Sequence, residues 1–140
     1  MSRVFWDTNI YIYLFEDFGP LSARAKSLRR NMLARGDQLL TSTLTLGEIL
    51  VKPLEAGDTA LYASYEQAIP ASSVLVPFDW KAARLYATLR RDRSLRIPDA
   101  IQLACAASVG VDLFITNDKR LSTRQIQGIQ FIVSLDRAPL

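Results

Sequence analysis

Five short runs of the chain are apolar without alternation: Val4-Phe5-Trp6, Leu39-Leu40, Val74-Leu75-Val76, Leu113-Phe114-Ile115 and Phe131-Ile132-Val133. A strand with one wet face alternates apolar and polar residues. A strand apolar throughout must be covered on both sides, which is the condition of a parallel sheet between two helical layers. The segments between the runs supply the helices. Asn9 to Phe15 follows an Asp7-Thr8-Asn9 cap, and Leu21 to Arg35 carries Leu21, Ala25, Leu28 and Met32 on one face. Further helices are predicted from Ser42-Thr43 through Glu48 toward Pro53, from Asp58 to Ala68, from Trp80 to Arg93, and from Ile97-Pro98-Asp99 to Gly110. The expectation is a three-layer α/β fold around a mainly parallel five-stranded sheet, with residues 1–140 forming one domain.

Composition narrows the chemistry more than the fold. The chain has no histidine, which removes the Ser-His-Asp triad, the Cys-His pair and most zinc sites. Its one cysteine, Cys105, lies in the apolar run Ala104-Cys105-Ala106-Ala107 and reads as a small core residue. A lone cysteine forms no internal disulfide. No stretch has the length and apolarity of a membrane span, and the N-terminal segment meets Asp7 too early for a signal peptide, so a cytoplasmic protein is expected.

Four acids stand out by position. Asp7 follows the first strand and Asp118 the fourth, Glu48 lies in the first turns of the helix after the second strand, and Asp99 in the first turn of the helix before the fourth. Strands of a parallel sheet end on one edge, so Asp7, Asp118 and the start of the Glu48 helix meet there, where open α/β sheets bind ligands. Asp99 joins them if its helix begins on that side, which requires the preceding loop to cross over. Each acid also has a local reading. Asp7 caps a helix, Thr45-Leu46-Gly47-Glu48 fits a capping box, Asp99 suits a helix dipole, and Asp118 suits an Asx turn. Taken together, they sit beside the most apolar segments, where carboxylates repel and an unpaired charge is costly. A divalent cation is the simplest way to hold them. All-oxygen donors favour Mg²⁺ or Mn²⁺.

Of the seventeen basic residues thirteen are arginines, with one cluster at Arg24, Lys26, Arg29, Arg30 and Arg35 and another at Arg84, Arg90, Arg91, Arg93 and Arg96. Guanidinium groups suit phosphate oxygens, although from composition alone a solvated helix face accounts for both clusters.

Asp7-Thr8-Asn9, Thr45-Leu46-Gly47-Glu48-Ile49-Leu50, Ile97-Pro98-Asp99-Ala100-Ile101-Gln102-Leu103-Ala104 and Thr116-Asn117-Asp118-Lys119-Arg120-Leu121, in that order, resemble the PIN-domain ribonucleases. The similarity is greatest to the VapC-type toxins of toxin–antitoxin pairs, and it spans nearly the whole chain. The resemblance implies a Rossmann-like sheet and an endoribonuclease dependent on Mg²⁺ or Mn²⁺. Asp7, Glu48, Asp99 and Asp118 then hold metal or orient its water, and Asn9 and Thr116 hydrogen-bond those carboxylates. It also implies RNA as substrate, a small antitoxin as partner and a homodimer. On this reading Arg90, Arg91, Arg93 and Arg96 lead into Asp99 and reach a substrate phosphate. The alternative is a catalytically silent PIN-like RNA-binding or scaffolding protein. A haloacid-dehalogenase-like enzyme needs a second aspartate where this chain has Asn9. A receiver-like domain would place its phospho-acceptor at Asp79, after the third strand.

Overall fold

The computed structural model describes residues 1–140. The chain runs β1 (Arg3–Trp6), α1 (Thr8–Phe15), α2 (Pro20–Arg35), β2 (Gln38–Ser42), α3 (Thr43–Glu55), α4 (Thr59–Ser72), β3 (Val74–Val76), α5 (Trp80–Leu89), α6 (Ile97–Val109), β4 (Val111–Thr116) and β5 (Ile129–Ser134), then a short 3₁₀ turn at Leu135–Arg137. The five strands form one sheet in the order β3-β2-β1-β4-β5. Every neighbouring pair is parallel, so the sheet is wholly rather than mainly so.

Strand pleating sorts the apolar runs onto two cores. Phe5, Leu40 and Phe114 face α5 and α6, packing with Ala82, Leu103 and Ala106. Val4, Trp6, Leu39, Leu113 and Ile115 face the other way, against Ile10 and Tyr11 of α1, Leu28 and Met32 of α2, Ile49 of α3 and Ile69 of α4. Successive residues Val4 to Trp6 of β1 and Leu113 to Ile115 of β4 therefore belong to opposite cores, which is why these runs hold no polar residue. Phe5 and Phe114, paired in register, stack with ring centroids 5.1 Å apart. No helix is long and apolar enough to cross a membrane.

From β1 the chain steps outward through β2 to β3, then returns to place β4 on the other side of β1. The order reverses between β1 and β4, and a crevice opens beyond their carboxyl ends. Two helices depart from the sequence pattern. The one expected from Asp58 to Ala68 continues to Ser72, carrying Pro70. The one expected to reach Arg93 stops at Leu89, because Asp92 turns the chain. Its Oδ1 accepts from the backbone N–H (3.0 Å) and hydroxyl (2.6 Å) of Ser94, while Arg124 donates to Oδ2 at 2.6 Å. The Ser94 hydroxyl, with Arg124 behind it, holds the Asp92 carboxyl down at about 2. Leu95 then buries itself at 2% exposure and anchors the return of the chain to the start of α6. This turn is the crossover that carries Asp99 to the crevice.

Candidate functional site

The crevice is a cleft of about 680 Å³ whose lining includes all four acids: Asp7, Glu48, Asp99 and Asp118. Thr8, Asn9, Tyr13, Arg96, Gln102, Asn117 and Lys119 complete its polar wall.

Asp7 lies deepest. It directly follows β1, and its backbone N–H donates to the Ile115 carbonyl at 3.0 Å, so the strand pairing itself sets its position. Oδ1 accepts from the Thr8 N–H at 2.9 Å, the cap of α1, and Oδ2 accepts from the Thr116 hydroxyl at 2.8 Å. Burial pushes the Asp7 carboxyl up to about 6, the Thr116 and Thr8 donors oppose the rise, and the Asp99 and Glu48 charges add to it. No cation is among the groups acting on it.

Glu48 stands exposed at the mouth. The capping box that its spacing allowed as a local alternative is not formed. Ser42 caps α3 instead, its hydroxyl accepting from the Thr45 N–H at 3.3 Å. Freed from the cap, Glu48 accepts from the Thr8 hydroxyl at 2.7 Å through Oε1. Asp99 is buried at the first turn of α6, and its Oδ2 accepts from Arg96 Nε at 3.0 Å. Asp118 does form the Asx turn, Oδ1 accepting from the Arg120 N–H at 3.0 Å. Its carboxylate is gripped by two guanidinium groups, Arg120 (2.8 Å) and Arg96 (3.2 Å). Chiefly through Arg120, that grip lowers the Asp118 carboxyl below its ordinary range.

The four arginines singled out before Asp99 separate. Only Arg96 lines the cleft. Arg90 turns inward and donates to the Leu95 carbonyl at 2.6 Å, bracing the crossover, while Arg91 and Arg93 are exposed and away from the cleft wall. Asn9 lines the cleft, but the hydroxyl that holds an acid from this segment is that of its neighbour Thr8. Asp79 caps α5, accepting from the Ala82 N–H at 2.9 Å, and does not line the cleft. Burial raises the Cys105 thiol to about 12, in keeping with a core role.

Several residues of the site carried no recognised signal in the sequence. Lys119, Tyr13, Thr45 and Gln102 are among them. Gln102 alone had a detectable one, an amide in the otherwise apolar run Ala100 to Ala107.

As the side chains stand, no three carboxylates converge closely enough to hold an ion between them. Arg96 and Arg120 draw Asp99 and Asp118 aside, and Thr8 holds Glu48. The donor chemistry nevertheless fits a hard divalent cation. Asp7 is a buried carboxylate with no cation among the groups that act on it, and the carboxylates near it offer only oxygen ligands. Asp7, Glu48 and Asp99 fit such an ion better than Asp118, whose charge two arginines already offset.

The model of the PIN domain family matches residues 4–126. No curated protein matches the chain. Among solved structures, DNA-bound VapBC from Salmonella typhimurium superposes with a TM-score of 0.75 at 18% identity, over 96% of this chain and 99% of that one. VapBC2 from Rickettsia felis, bound to a promoter DNA fragment, gives a TM-score of 0.72 at 15% identity, over 94% and 97%. A toxin–antitoxin complex from Klebsiella pneumoniae gives 0.66 at 25% identity, over 91% and 95%. The acids at the carboxyl ends of β1 and β4, the all-parallel sheet and the family match agree: this chain belongs to the PIN domain family.

Proposed function

We propose that this protein is an endoribonuclease that hydrolyses RNA phosphodiester bonds with Mg²⁺ or Mn²⁺, and that it is the toxin of a toxin–antitoxin pair. The observation that carries the reading is Asp7, a buried carboxylate at the strand-order reversal with the Asp99 and Glu48 charges acting on it and no cation among the groups that act on it. Asp7, Glu48 and Asp99 would hold the ion, with Asp118 beside them. When bound, such an ion acts as a Lewis acid toward phosphate oxygens and the attacking water. Thr116 and Thr8 keep the Asp7 oxygens turned toward the cleft. Arg96 and Lys119, on the cleft wall, meet the charge of the RNA backbone.

The partner is inferred from the solved toxin–antitoxin complexes that share the fold. An apolar groove lined by Ile12, Phe15, Ile49, Pro53, Leu61 and Tyr65 adjoins the cleft and shares Ile12 and Glu48 with it. An antitoxin segment seated there would reach the acids. Pairing of a second copy of the chain into a homodimer is part of the same proposal.

The guanidinium pairs on Asp99 and Asp118 favour one other reading, a PIN-like protein that binds RNA or acts as a scaffold without cutting. One assay separates the two: RNA cleavage by the purified chain in Mn²⁺ and in EDTA, beside Asp7→Asn and Asp99→Asn. Metal-dependent cleavage lost in both variants supports the nuclease. RNA binding with no cleavage in any metal supports the silent protein.

A further inference from the structure

Beneath the cleft lies a polar network that the metal reading does not use. Gln102 of α6 is 2% exposed, and the residues that follow it, Leu103 to Ala106, are fully buried and apolar or nearly so. An amide at this depth is costly unless every polar atom finds a partner. Here the partners are hydroxyls from three other elements. Nε2 donates to Thr8 Oγ1 at 3.0 Å and to Thr45 Oγ1 at 2.8 Å, and Oε1 accepts from Ser42 Oγ at 2.6 Å. Thr41 lies 2.8 Å from Thr45 Oγ1 and 2.8 Å from the Trp6 carbonyl. The network meets an acid of the cleft at the Thr8 hydroxyl, 2.7 Å from Glu48 Oε1.

Proton counting fixes most of the directions in this network. A carboxylate only accepts, so the one Thr8 proton goes to Glu48, and the Thr8 oxygen must accept from elsewhere. The Trp6 carbonyl also only accepts, so it takes the Thr41 proton, and Thr45 turns its own to Thr41 at 2.8 Å or to Thr8 at 3.1 Å. Ser42 accepts from the Thr45 N–H and spends its proton on Gln102 Oε1. The Gln102 amide donates to both Thr8 and Thr45, and both keep that donor whichever way the Thr45 proton turns. Were the amide reversed, its oxygen would face Thr8 and draw the Thr8 proton away from Glu48.

We infer that Gln102 is a positioning residue of the cleft, holding Glu48 in place through Thr8. Its amide is spent on the hydroxyls of Thr8, Thr45 and Ser42. Its effect reaches the site only through the Thr8 proton, and it rests on the metal-holding role proposed for Glu48. Hydrogen-bond partners behind a metal ligand typically change affinity by about 10–100-fold when removed.

The test is Mn²⁺ binding to the full chain, by calorimetry, in wild type, Gln102→Leu, Thr8→Val, Thr8→Ser, Glu48→Gln and the double variant Gln102→Leu with Glu48→Gln. Thermal melts in EDTA establish that each is folded. Gln102→Leu and Thr8→Val should each weaken binding by about tenfold. Thr8→Ser, which keeps the hydroxyl, should recover most of the affinity. In the Glu48→Gln background Gln102→Leu should cause no further loss, because its route to the metal is already cut. Where Gln102→Leu does not fold, Gln102→Glu keeps the volume, takes the Thr8 proton as an acceptor, and should show the same weakening. Equal affinity in wild type, Gln102→Leu and Thr8→Val overturns the inference alone. So does an undiminished loss in the Glu48→Gln background. A wild-type chain that takes up no Mn²⁺ overturns the metal reading and this inference together.

Discussion

The hydroxyl of Thr116 donates to Oδ2 of Asp7 at 2.8 Å, joining the last residue of β4 to the residue that follows β1. These are the strands between which the sheet order reverses. The bond opposes the rise that burial imposes on the Asp7 carboxyl. Thr116→Val, of similar shape but without the donor, should therefore cost about 1–3 kcal/mol of stability at neutral pH. The cost should shrink in acid as Asp7 takes up its proton. Chemical denaturation at two pH values measures both.

Asp7 makes the metal-free protein sensitive to pH in a direction opposite to most carboxylates. Its carboxyl is raised from 3.8 to about 6 in the fold, so between those values the native state holds more protons than the unfolded state. Stability then falls as pH rises through roughly 4 to 6, by about 3 kcal/mol at ~1.4 kcal/mol per pH unit, and stays reduced above that window. In EDTA, Asp7→Asn should remove this dependence and leave the protein at least as stable as wild type at pH 7. An Asn variant that unfolds would mean that the carboxylate serves the fold as a cap.

Added metal should act in the opposite sense. On the proposed reading Mn²⁺ would bind the assembled site and compete with the proton on Asp7, so it should raise the melting temperature of the wild type. The gain should approach about 2.7 kcal/mol at a hundred times the dissociation constant. Asp7→Asn and Asp99→Asn should gain much less. An equal shift in all three proteins would place the ion elsewhere.

For catalysis, loss of a metal-holding carboxylate should exceed the 10–100-fold typical of outer partners, so Asp7→Asn and Asp99→Asn should each lower RNA cleavage by more than about 100-fold. Asp118→Asn should cost less, because Arg96 and Arg120 already offset its charge. Initial rates at saturating Mn²⁺ give the order. An Asp118 variant weaker than the other two would reverse the assignment.

Binding of RNA should divide the arginines as the structure does. Measured in the uncleaving Asp7→Asn protein, Arg96→Gln or Lys119→Gln should make the salt dependence shallower by about 0.7 per lost contact with single strands. Arg91→Gln with Arg93→Gln should leave it unchanged, since neither lines the cleft. Arg90→Ala should cost about 1 kcal/mol of stability, through its lost bond to the Leu95 carbonyl, with no change in salt slope. A slope altered by the Arg91 and Arg93 pair would return that run to the RNA interface.

The unbroken apolarity of Val4-Phe5-Trp6 and Leu113-Phe114-Ile115, with helical segments between the strands, pointed to a parallel sheet buried on both faces, because helices on both sides cover such strands. With the strands parallel, the position of Asp7 and Asp118 just past their ends placed both at one edge. Those are local patterns, and a sequence carries them directly. The arrival of Asp99 at the same edge depended on Asp92, Ser94 and Arg124, whose turn ends α5 early and returns the chain. Arg124 lies 32 residues from Asp92. Glu48 was legible as a member of the set but not in its partner: the Thr45-to-Glu48 spacing fits a cap, and Ser42 took the cap instead. The fate of Arg90, Arg96 and Gln102 was likewise beyond local pattern. Whether a guanidinium or an amide faces solvent, a carbonyl or a carboxylate is set by groups brought near only when the sheet and its two helical layers close. Hydrogen-bond direction around Gln102 was decided last, because it depends on four segments meeting in one buried place.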